Sequence, residues 1–276
     1  MLMDVAQLER SLVPLVPYFL PLIFASVALE WYLLRHDEHR CYSPQDFWAS
    51  AGIGVGNAVL NLLLKTGIFA FGLFFCALAP WRVPPTWWSW VLAYLAVDFC
   101  NYLAHYVAHK QRVWWATHVT HHSSEHLNLS TAFRNSWTQH FKIIFFIPAW
   151  LTGIHPVILF TCYEINLLYQ FWIHTESIGR LPRWVEYVFV TPSHHRVHHG
   201  SNPQYIDKNF GSSLIIWDRL FGTYQEEEER PYYGITKPLE SQNIVYLNFH
   251  EWRDLWQDLR QVRSFREGWL LLFGPP

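Results

Sequence analysis

The chain has 276 residues with 20 Lys and Arg, 22 Asp and Glu, and a formal net charge of −2, so it lacks the basic excess of a nucleic-acid-binding protein. Hydrophobic residues make up 51% of the chain, which excludes a disordered polypeptide, and charged residues make up only 15%, against about 25% in soluble domains. The four cysteines form no CxxC pair, so the sequence indicates neither a disulfide scaffold nor a zinc ribbon.

Apolar segments in the first hundred residues predict several membrane crossings. Residues 12–34 contain no Lys or Arg and, at about 1.5 Å per residue, are long enough to cross the ~30 Å hydrocarbon core. Residues 47–79 form a longer apolar block that must tilt, kink or lie partly along the interface. Residues 87–104 predict a return crossing that leads directly to His105. We therefore expect an all-α, multi-span integral membrane bundle in which residues 1–104 form the transmembrane spans.

The second apolar block contains a GxGxG motif formed by Gly52, Gly54 and Gly56. A dinucleotide-binding motif would need a preceding strand and a βαβ unit, and the surrounding sequence indicates neither. Gly52 and Gly56 instead predict a closely packed helix face.

The last apolar block, residues 143–173, predicts a re-entrant helical hairpin. Its interruption at residues 153–156 leaves a first half too short to cross the core, so the chain is expected to enter and leave on one face. This returns His174 to the side that holds the earlier histidines. Lysines and arginines are concentrated in segments on this side, and the positive-inside tendency makes it the cytoplasmic face, of the inner membrane in a bacterium or of the endoplasmic reticulum in a eukaryote. Residues 105–240 are then the catalytic region and residues 241–276 a C-terminal tail.

Ten of the sixteen histidines lie in two short windows of the sequence. The first window contains an HxxxH motif, an HxxHH motif and one further histidine, and the second contains HHxxHH. Spacings of three and four place side chains on one helical face, so each motif directs two or three imidazoles to one place. The residues are His105, His109, His118, His121, His122 and His126 in the first window, and His194, His195, His198 and His199 in the second.

This clustering predicts a nitrogen-rich, dinuclear metal centre at one membrane face. Neutral imidazole is a donor for iron, zinc, copper or nickel, and two ions can share eight or more rings where one octahedral ion cannot. Without metal, each buried histidine would have to stay neutral and hydrogen-bonded. A catalytic zinc ion usually needs three protein ligands, which would leave most of these histidines without a function. Spacing alone leaves both iron and zinc open.

Polar residues beside the clusters are further candidates for the site. His174 ends an i, i+4, i+8 stripe with Asn166 and Gln170 and is predicted as an additional ligand. Asp98 lies on the same helical stripe as His105. Because a carboxylate in an apolar span needs a partner, Asp98 is expected either to orient the ring of a ligand or to pair elsewhere in the bundle.

Two other sets of polar residues are interpreted more simply. Residues after the last cluster can cap the site or, as we prefer, hold their own loop; they are Asp207, Asn209, Trp217 and Asp218. Histidines without partners at ligand spacing are predicted to be structural or solvated; they are His36, His39, His126, His140, His155 and His250.

The motifs together resemble the sterol desaturase / fatty acid hydroxylase superfamily of membrane di-iron enzymes. Longer segments are most similar to the alkylglycerol monooxygenase family within it. These segments are WATHVTHHSSEHLNLSTAFRNS (115–136), LLYQFWIHTESIG (167–179), TPSHHRVHHGSNPQYIDKNFGSSLIIWDRLFGTYQEE (191–227) and YGITKPL (233–239). The resemblance implies a di-iron site completed by His174, with His194 as a further candidate. The other implied ligands are His105, His109, His118, His121, His122, His195, His198 and His199.

The resemblance also implies a reaction. Alkylglycerol monooxygenases use O2 to hydroxylate the carbon next to an ether oxygen, and they take electrons from tetrahydrobiopterin. Sterol and fatty acid members of the superfamily instead use cytochrome b5 or another redox protein. This chain departs from the common pattern at Tyr106, where many members have Arg, and at Lys110, where the animal enzymes tend to have an acidic residue.

Two alternatives remain open at this point. One is a desaturase or hydroxylase for a sterol, a fatty acid or another lipid with the same metal centre. The other is a non-catalytic metal-binding or transport protein, whose metal-binding residues would be expected to line a path across the bilayer rather than lie at one face.

Overall fold

The computed structural model describes residues 15–35, 41–239 and 241–276, and in these ranges its regular structure is helical, with two isolated β-bridges and no strand. The expected all-α class is therefore confirmed. Residues 12–14 of the predicted first span, as well as His36 and His39, lie outside the described residues.

Three long helices are apolar enough to cross a membrane: α1 (Leu15–Leu34), α2 (Pro44–Leu78) and α3 (Trp87–Lys110). They coincide with the three predicted spans, and the chain is a membrane protein. Helix α3 extends beyond residue 104, the end of the predicted crossing, and it includes His105 and His109, as the shared helical stripe predicts.

The remaining helices of the described residues all follow α3 and are shorter than the three long helices. The α-helices are α4 (Arg112–Trp115), α5 (Val119–His122), α6 (Ile147–Trp150), α7 (Pro156–Trp172), α8 (Arg183–Val188), α9 (Pro192–His199), α10 (Ile216–Phe221), α11 (Ile244–Leu259) and α12 (Phe265–Phe273), and two 3-10 helices span Leu129–Phe133 and Gln139–Phe146. The predicted hairpin corresponds to the second 3-10 helix, α6, a turn at Gly153 with φ +73° and α7. Its depth in a membrane stays a prediction.

The main apolar core lies between α3 and α7. Ala93, Val97 and Cys100 of α3 pack with Ile158 and Cys162 of α7, and all five are buried. This packing fixes α3, which carries the first two histidines of the clusters, against the helix that ends just before His174.

The glycine motif of α2 permits a close approach of neighbouring elements. A Cβ at Gly56 would lie 2.5 Å from the indole of Trp137, and a Cβ at Gly54 would lie 2.9 Å from Phe133. Gly52 makes only an ordinary contact with Ile244. The close packing predicted for Gly52 and Gly56 is thus found at Gly56 but not at Gly52, and Gly54 is closely packed as well. The neighbours belong to the segment after α5 and not to another long helix.

Two buried acidic residues tie the long helices to the loops around the histidines. Asp46 of α2 accepts hydrogen bonds from the guanidinium of Arg134 and from Ser124 Oγ (2.7 Å). Arg134 is fully buried. Glu30 of α1 accepts a hydrogen bond from Thr175, the residue after His174. Since an unpaired buried charge is costly, these contacts fix the position of the loops relative to the spans.

Candidate metal centre

Helices α3 and α5 present the histidines of the first window. His105 and His109 are one turn apart on α3, which ends at the next residue, Lys110. The short α5 begins after His118 and carries His121 and His122. Because only α4 separates the two helices, all five rings can reach the same region.

Helix α9 presents the histidines of the second window. Thr191 is its N-cap and Pro192 its first residue, an arrangement that favours helix initiation. The chain then follows one helical path through His195, His198 and His199, and every residue of α9 is buried.

Eight of these rings and the ring of His174 converge in two groups. Within each group, one ligand atom of every member lies within 4.8 Å of those of all the others. The five-histidine group consists of His105, His109, His118, His122 and His198, and the four-histidine group consists of His121, His174, His195 and His199. The groups adjoin, because the rings of His122 and His199 are stacked with their centroids 4.5 Å apart.

The ring nitrogens are arranged as a metal would require. His105 Nδ1 donates to Phe210 O (2.9 Å) and His198 Nδ1 donates to Lys208 O (3.0 Å), so the Nε2 atoms of these two rings carry lone pairs directed into the group. His105 Nε2 is buried and has no hydrogen-bond partner among the described residues. Converging lone pairs in a buried site are stabilised by a cation between them, so the residues fit a metal ion.

Burial also keeps the rings in the state that binds metal. It lowers the pKa of His174 from 6.5 to about 4. It lowers the pKa of His118, His121, His122, His195, His198 and His199 well below 6.5. These imidazoles are therefore neutral near pH 7, as metal ligands must be.

A loop after α9 holds the outer side of the five-histidine group. Asp207 (φ +61°) and Asn209 (φ +55°) adopt left-handed conformations, which cost about 1–2 kcal/mol per residue and which, after glycine, Asn and Asp tolerate best. This backbone directs the carbonyls of Lys208 and Phe210 to two ligand rings, and Asp207 Oδ1 lies 3.5 Å from His109 Nδ1.

Asp218 fixes the same loop from the other side. Its carboxylate accepts from the backbone N–H groups of Phe210 (2.7 Å) and Gly211 (2.7 Å) and from Thr223 Oγ1 (2.6 Å). The interpretation preferred from the sequence is that the polar residues after the last histidine cluster hold their own loop, and Asp218 and Asn209 have such contacts. For Asp207 it was incomplete, since this residue also contacts a ligand candidate and pairs with Lys110 (2.6 Å).

His194 belongs to neither group, unlike its neighbour His195. Its Nδ1 accepts from Thr191 N (3.2 Å) and its backbone N–H donates to Thr191 Oγ1, which together form a capping box at the start of α9. Its Nε2 lies 3.0 Å from a carboxylate oxygen of Glu186. The structure thus places His194 in the first turn of α9 and apart from the candidate ligands, and the Thr-Pro pair before it is the sequence feature that indicates this helix start.

Asp98 does not contact the histidine rings either. It accepts from Asn166 Nδ2 (2.6 Å), from Ser213 Oγ (2.5 Å) and from Trp217 Nε1 (2.8 Å), so its partners are elsewhere in the bundle, the second of the two expected arrangements. Gln170 supports a ligand through its backbone carbonyl, which accepts from His174 Nδ1 (2.7 Å).

The other histidines of the described chain lie outside both groups: His126, His140, His155 and His250. The outer partners Lys208 and Phe210 were not identified from the sequence. No sequence signal could have revealed them, since they act through backbone carbonyls.

Comparison with protein families and curated proteins identifies relatives. Residues 90–223, which contain both histidine groups, match the family described as Fatty acid hydroxylase. The chain is 41% identical to "Alkylglycerol monooxygenase" of Danio rerio over 254 residues, which are 90% of this chain and 55% of the relative. It is 36% identical to "Alkylglycerol monooxygenase" of Homo sapiens over 272 residues, which are 94% of this chain and 58% of the relative. The chain thus spans little more than half the length of these two relatives.

The name of a more distant relative indicates a different lipid substrate. The "Ornithine lipid hydroxylase OlsE" of Rhizobium tropici is 29% identical over 136 residues, which are 49% of this chain and 41% of the relative. No solved structure matches this chain.

Proposed function

We propose, on the premise that residues 90–223 belong to the fatty acid hydroxylase family, that this chain is a membrane di-iron monooxygenase that hydroxylates a lipid C–H bond with O2. The observation that carries the proposal is the convergence of nine buried or nearly buried imidazoles in two adjoining groups. The relatives named alkylglycerol monooxygenase, at 36% and 41% identity over most of the chain, favour an alkylglycerol ether lipid as the substrate.

The five-histidine and four-histidine groups would each hold one iron ion. When bound, the two ions would supply the reduction of O2 to an oxidant that can attack an unactivated C–H bond. The protein contributes neutral ligands, ring orientations fixed by backbone carbonyls, and a buried environment that excludes water.

The proposed reaction balances as a monooxygenation. One oxygen atom of O2 is inserted into a C–H bond of the carbon next to the ether oxygen. The other oxygen atom is reduced to water by two electrons and two protons from a donor. The hemiacetal formed from the lipid then breaks its C–O bond to give a fatty aldehyde and glycerol. The electrons would come from tetrahydrobiopterin or, as in other members of the superfamily, from a redox protein.

The fold supports access of a lipid from within the membrane. The metal-ligand helix α3 is itself a candidate span, and α1 and α2 expose most of their apolar side chains. We propose that the lipid enters laterally between the spans and that the catalytic region, residues 105–240, lies at the cytoplasmic face. The spans would occupy residues 1–104 and the tail residues 241–276.

The test uses the full chain in lipid nanodiscs with an alkylglycerol, O2 and tetrahydrobiopterin. We expect fatty aldehyde to form and two iron atoms to be present per chain. His121→Ala should lose aldehyde formation and one of the two iron atoms, whereas His126→Ala, a change outside both groups, should retain the activity and both iron atoms. Aldehyde formation by the His121→Ala variant equal to that of the wild type would contradict the proposal.

A second candidate is a hydroxylase for a different polar lipid, favoured by the similarity to the ornithine lipid hydroxylase. Lipid analysis of cells with and without the gene separates the two candidates. An ether lipid that accumulates without the gene supports the first, and a different lipid whose hydroxylated form disappears supports the second. Replacing tetrahydrobiopterin by a reduced redox protein in the nanodisc assay identifies the class of electron donor.

A further inference from the structure

The two histidine groups differ in the contacts that hold their rings from outside. In the five-histidine group, His105 and His198 donate to backbone carbonyls at 2.9 and 3.0 Å, and Asp207 contacts His109 at 3.5 Å. All three outer contacts come from one loop, residues 207–210. Outer partners of this kind fix the ring orientation and raise the basicity of the ligand, and each typically changes metal affinity about 10–100-fold.

The four-histidine group has less support. His174 donates to Gln170 O at 2.7 Å. By contrast, the Nδ1 atoms of His121 and His195 are buried and have no hydrogen-bond partner in the described part of the chain. These two rings instead contact other histidines, since His121 Nε2 and His195 Nε2 lie 3.2 and 2.8 Å from His174 Nε2, and this group also has one ligand fewer.

We infer that the two metal positions are inequivalent: the five-histidine group holds its ion more tightly and exchanges it more slowly, and the loop at residues 207–210 sets the difference. This inference rests on the dinuclear centre of the proposed function and assigns Asp207 as a positioning residue for His109. The four-histidine position is then the one that is filled last and emptied first.

The loop is held by hydrogen bonds to groups other than the ligand rings. Asp218 accepts from two consecutive backbone N–H groups at its end, and the Asn209 side chain donates to Gln225 O (2.8 Å) and accepts from Gln225 N (2.8 Å). These bonds maintain the two left-handed residues, so the carbonyls that face His105 and His198 need no rearrangement when an ion enters.

The inference is tested first on the unmodified protein. Metal-free full chain in nanodiscs is titrated anaerobically with Co(II) in competition with a chelator, and bound Co(II) is followed by its visible absorption. We expect two equivalents whose dissociation constants differ at least 10-fold. Two equivalents of equal affinity would overturn the inference while leaving the dinuclear centre intact, whereas absence of binding would contradict the dinuclear centre itself.

Variants then assign the two equivalents. Asn and Gly both tolerate the left-handed backbone at this position, so Asp207→Asn and Asp207→Gly remove the carboxylate without adding strain. We expect both to weaken the tighter equivalent about 10–100-fold and to leave the weaker one unchanged. His199→Ala should abolish the weaker equivalent and retain the tighter one.

The matched control is Glu226→Gln, which removes an exposed carboxylate paired with Arg180 and should change neither equivalent. Thermal unfolding of each metal-free variant shows whether it is folded. A folded Asp207→Asn protein with unchanged tight binding, or one that loses only the weaker equivalent, would overturn the role given to the loop.

Discussion

The side-chain amide of Asn166 donates to the carboxylate of Asp98 across 2.6 Å and thereby joins α7 to α3 inside the bundle. The same carboxylate accepts from Ser213 and Trp217, which follow the loop that supports the five-histidine group. Asp98 therefore connects that part of the chain to α3 and α7, and it does so without contacting a ligand ring.

Replacing Asp98 by Asn should lower stability but not metal content. Asn keeps one acceptor but loses the charge, which weakens the hydrogen bonds from Asn166, Ser213 and Trp217, so we expect a loss of about 1–3 kcal/mol in the free energy of unfolding. Unfolding in detergent and metal analysis of the folded fraction measure the two effects. Loss of an ion from folded Asp98→Asn protein would show that this residue acts on the ligands after all.

The adjacent residues His194 and His195 should respond differently to the same substitution. His195→Ala removes a member of the four-histidine group and should lose one metal ion per chain. His194→Ala removes a capping contact of α9, which costs about 0.5–2 kcal/mol, and should retain both ions. Metal analysis of the two purified proteins makes this comparison, and a lost ion in His194→Ala would refute the assignment.

Arg134→Met should be strongly destabilising because it leaves Asp46 charged and buried. Breaking a buried ion pair typically costs about 3–5 kcal/mol. The control is Arg180→Met, which breaks an exposed pair with Glu226 and should cost less than about 1 kcal/mol. Comparable unfolding midpoints for the two variants would rule out Asp46–Arg134 as an anchor.

Two glycines on α2 provide a test of close packing. Gly56→Ala places a Cβ 2.5 Å from the Trp137 ring, so the neighbouring segment must move, at a cost of about 1–3 kcal/mol. Gly67→Ala meets no atom within 4 Å and should be neutral or stabilising, by up to about 1 kcal/mol, because Ala favours helix. In one detergent, the unfolding midpoint of Gly56→Ala should therefore fall, and that of Gly67→Ala should rise or stay unchanged.

Removal of metal should lower the thermal stability of the wild-type chain. A ligand that binds only the folded state stabilises it by about 2.7 kcal/mol when its concentration is one hundred times its dissociation constant. Chelation should therefore lower the unfolding temperature, and His199→Ala, which lacks one ligand of the four-histidine group, should show a smaller decrease. An equal decrease in both proteins would indicate that only one ion contributes.

The sequence alone predicted the features that depend on neighbouring residues. Continuous apolar runs predicted the all-α class and the three long helices, because the length of an apolar run and its hydropathy are local properties. Spacings of three and four likewise predicted which histidines share a helical face, and His174 was predicted from its polar stripe.

The tertiary structure decided how those residues are used. The division of the rings into groups of five and four, the direction of each Nε2 atom and the exclusion of His194 all depend on contacts between distant segments, such as that of His105 with Phe210. The partner of Asp98 was also open until α3 and α7 were packed together. Backbone carbonyls carry no side-chain identity, so their role at the metal centre is set by the path of the folded chain and not by any residue pattern.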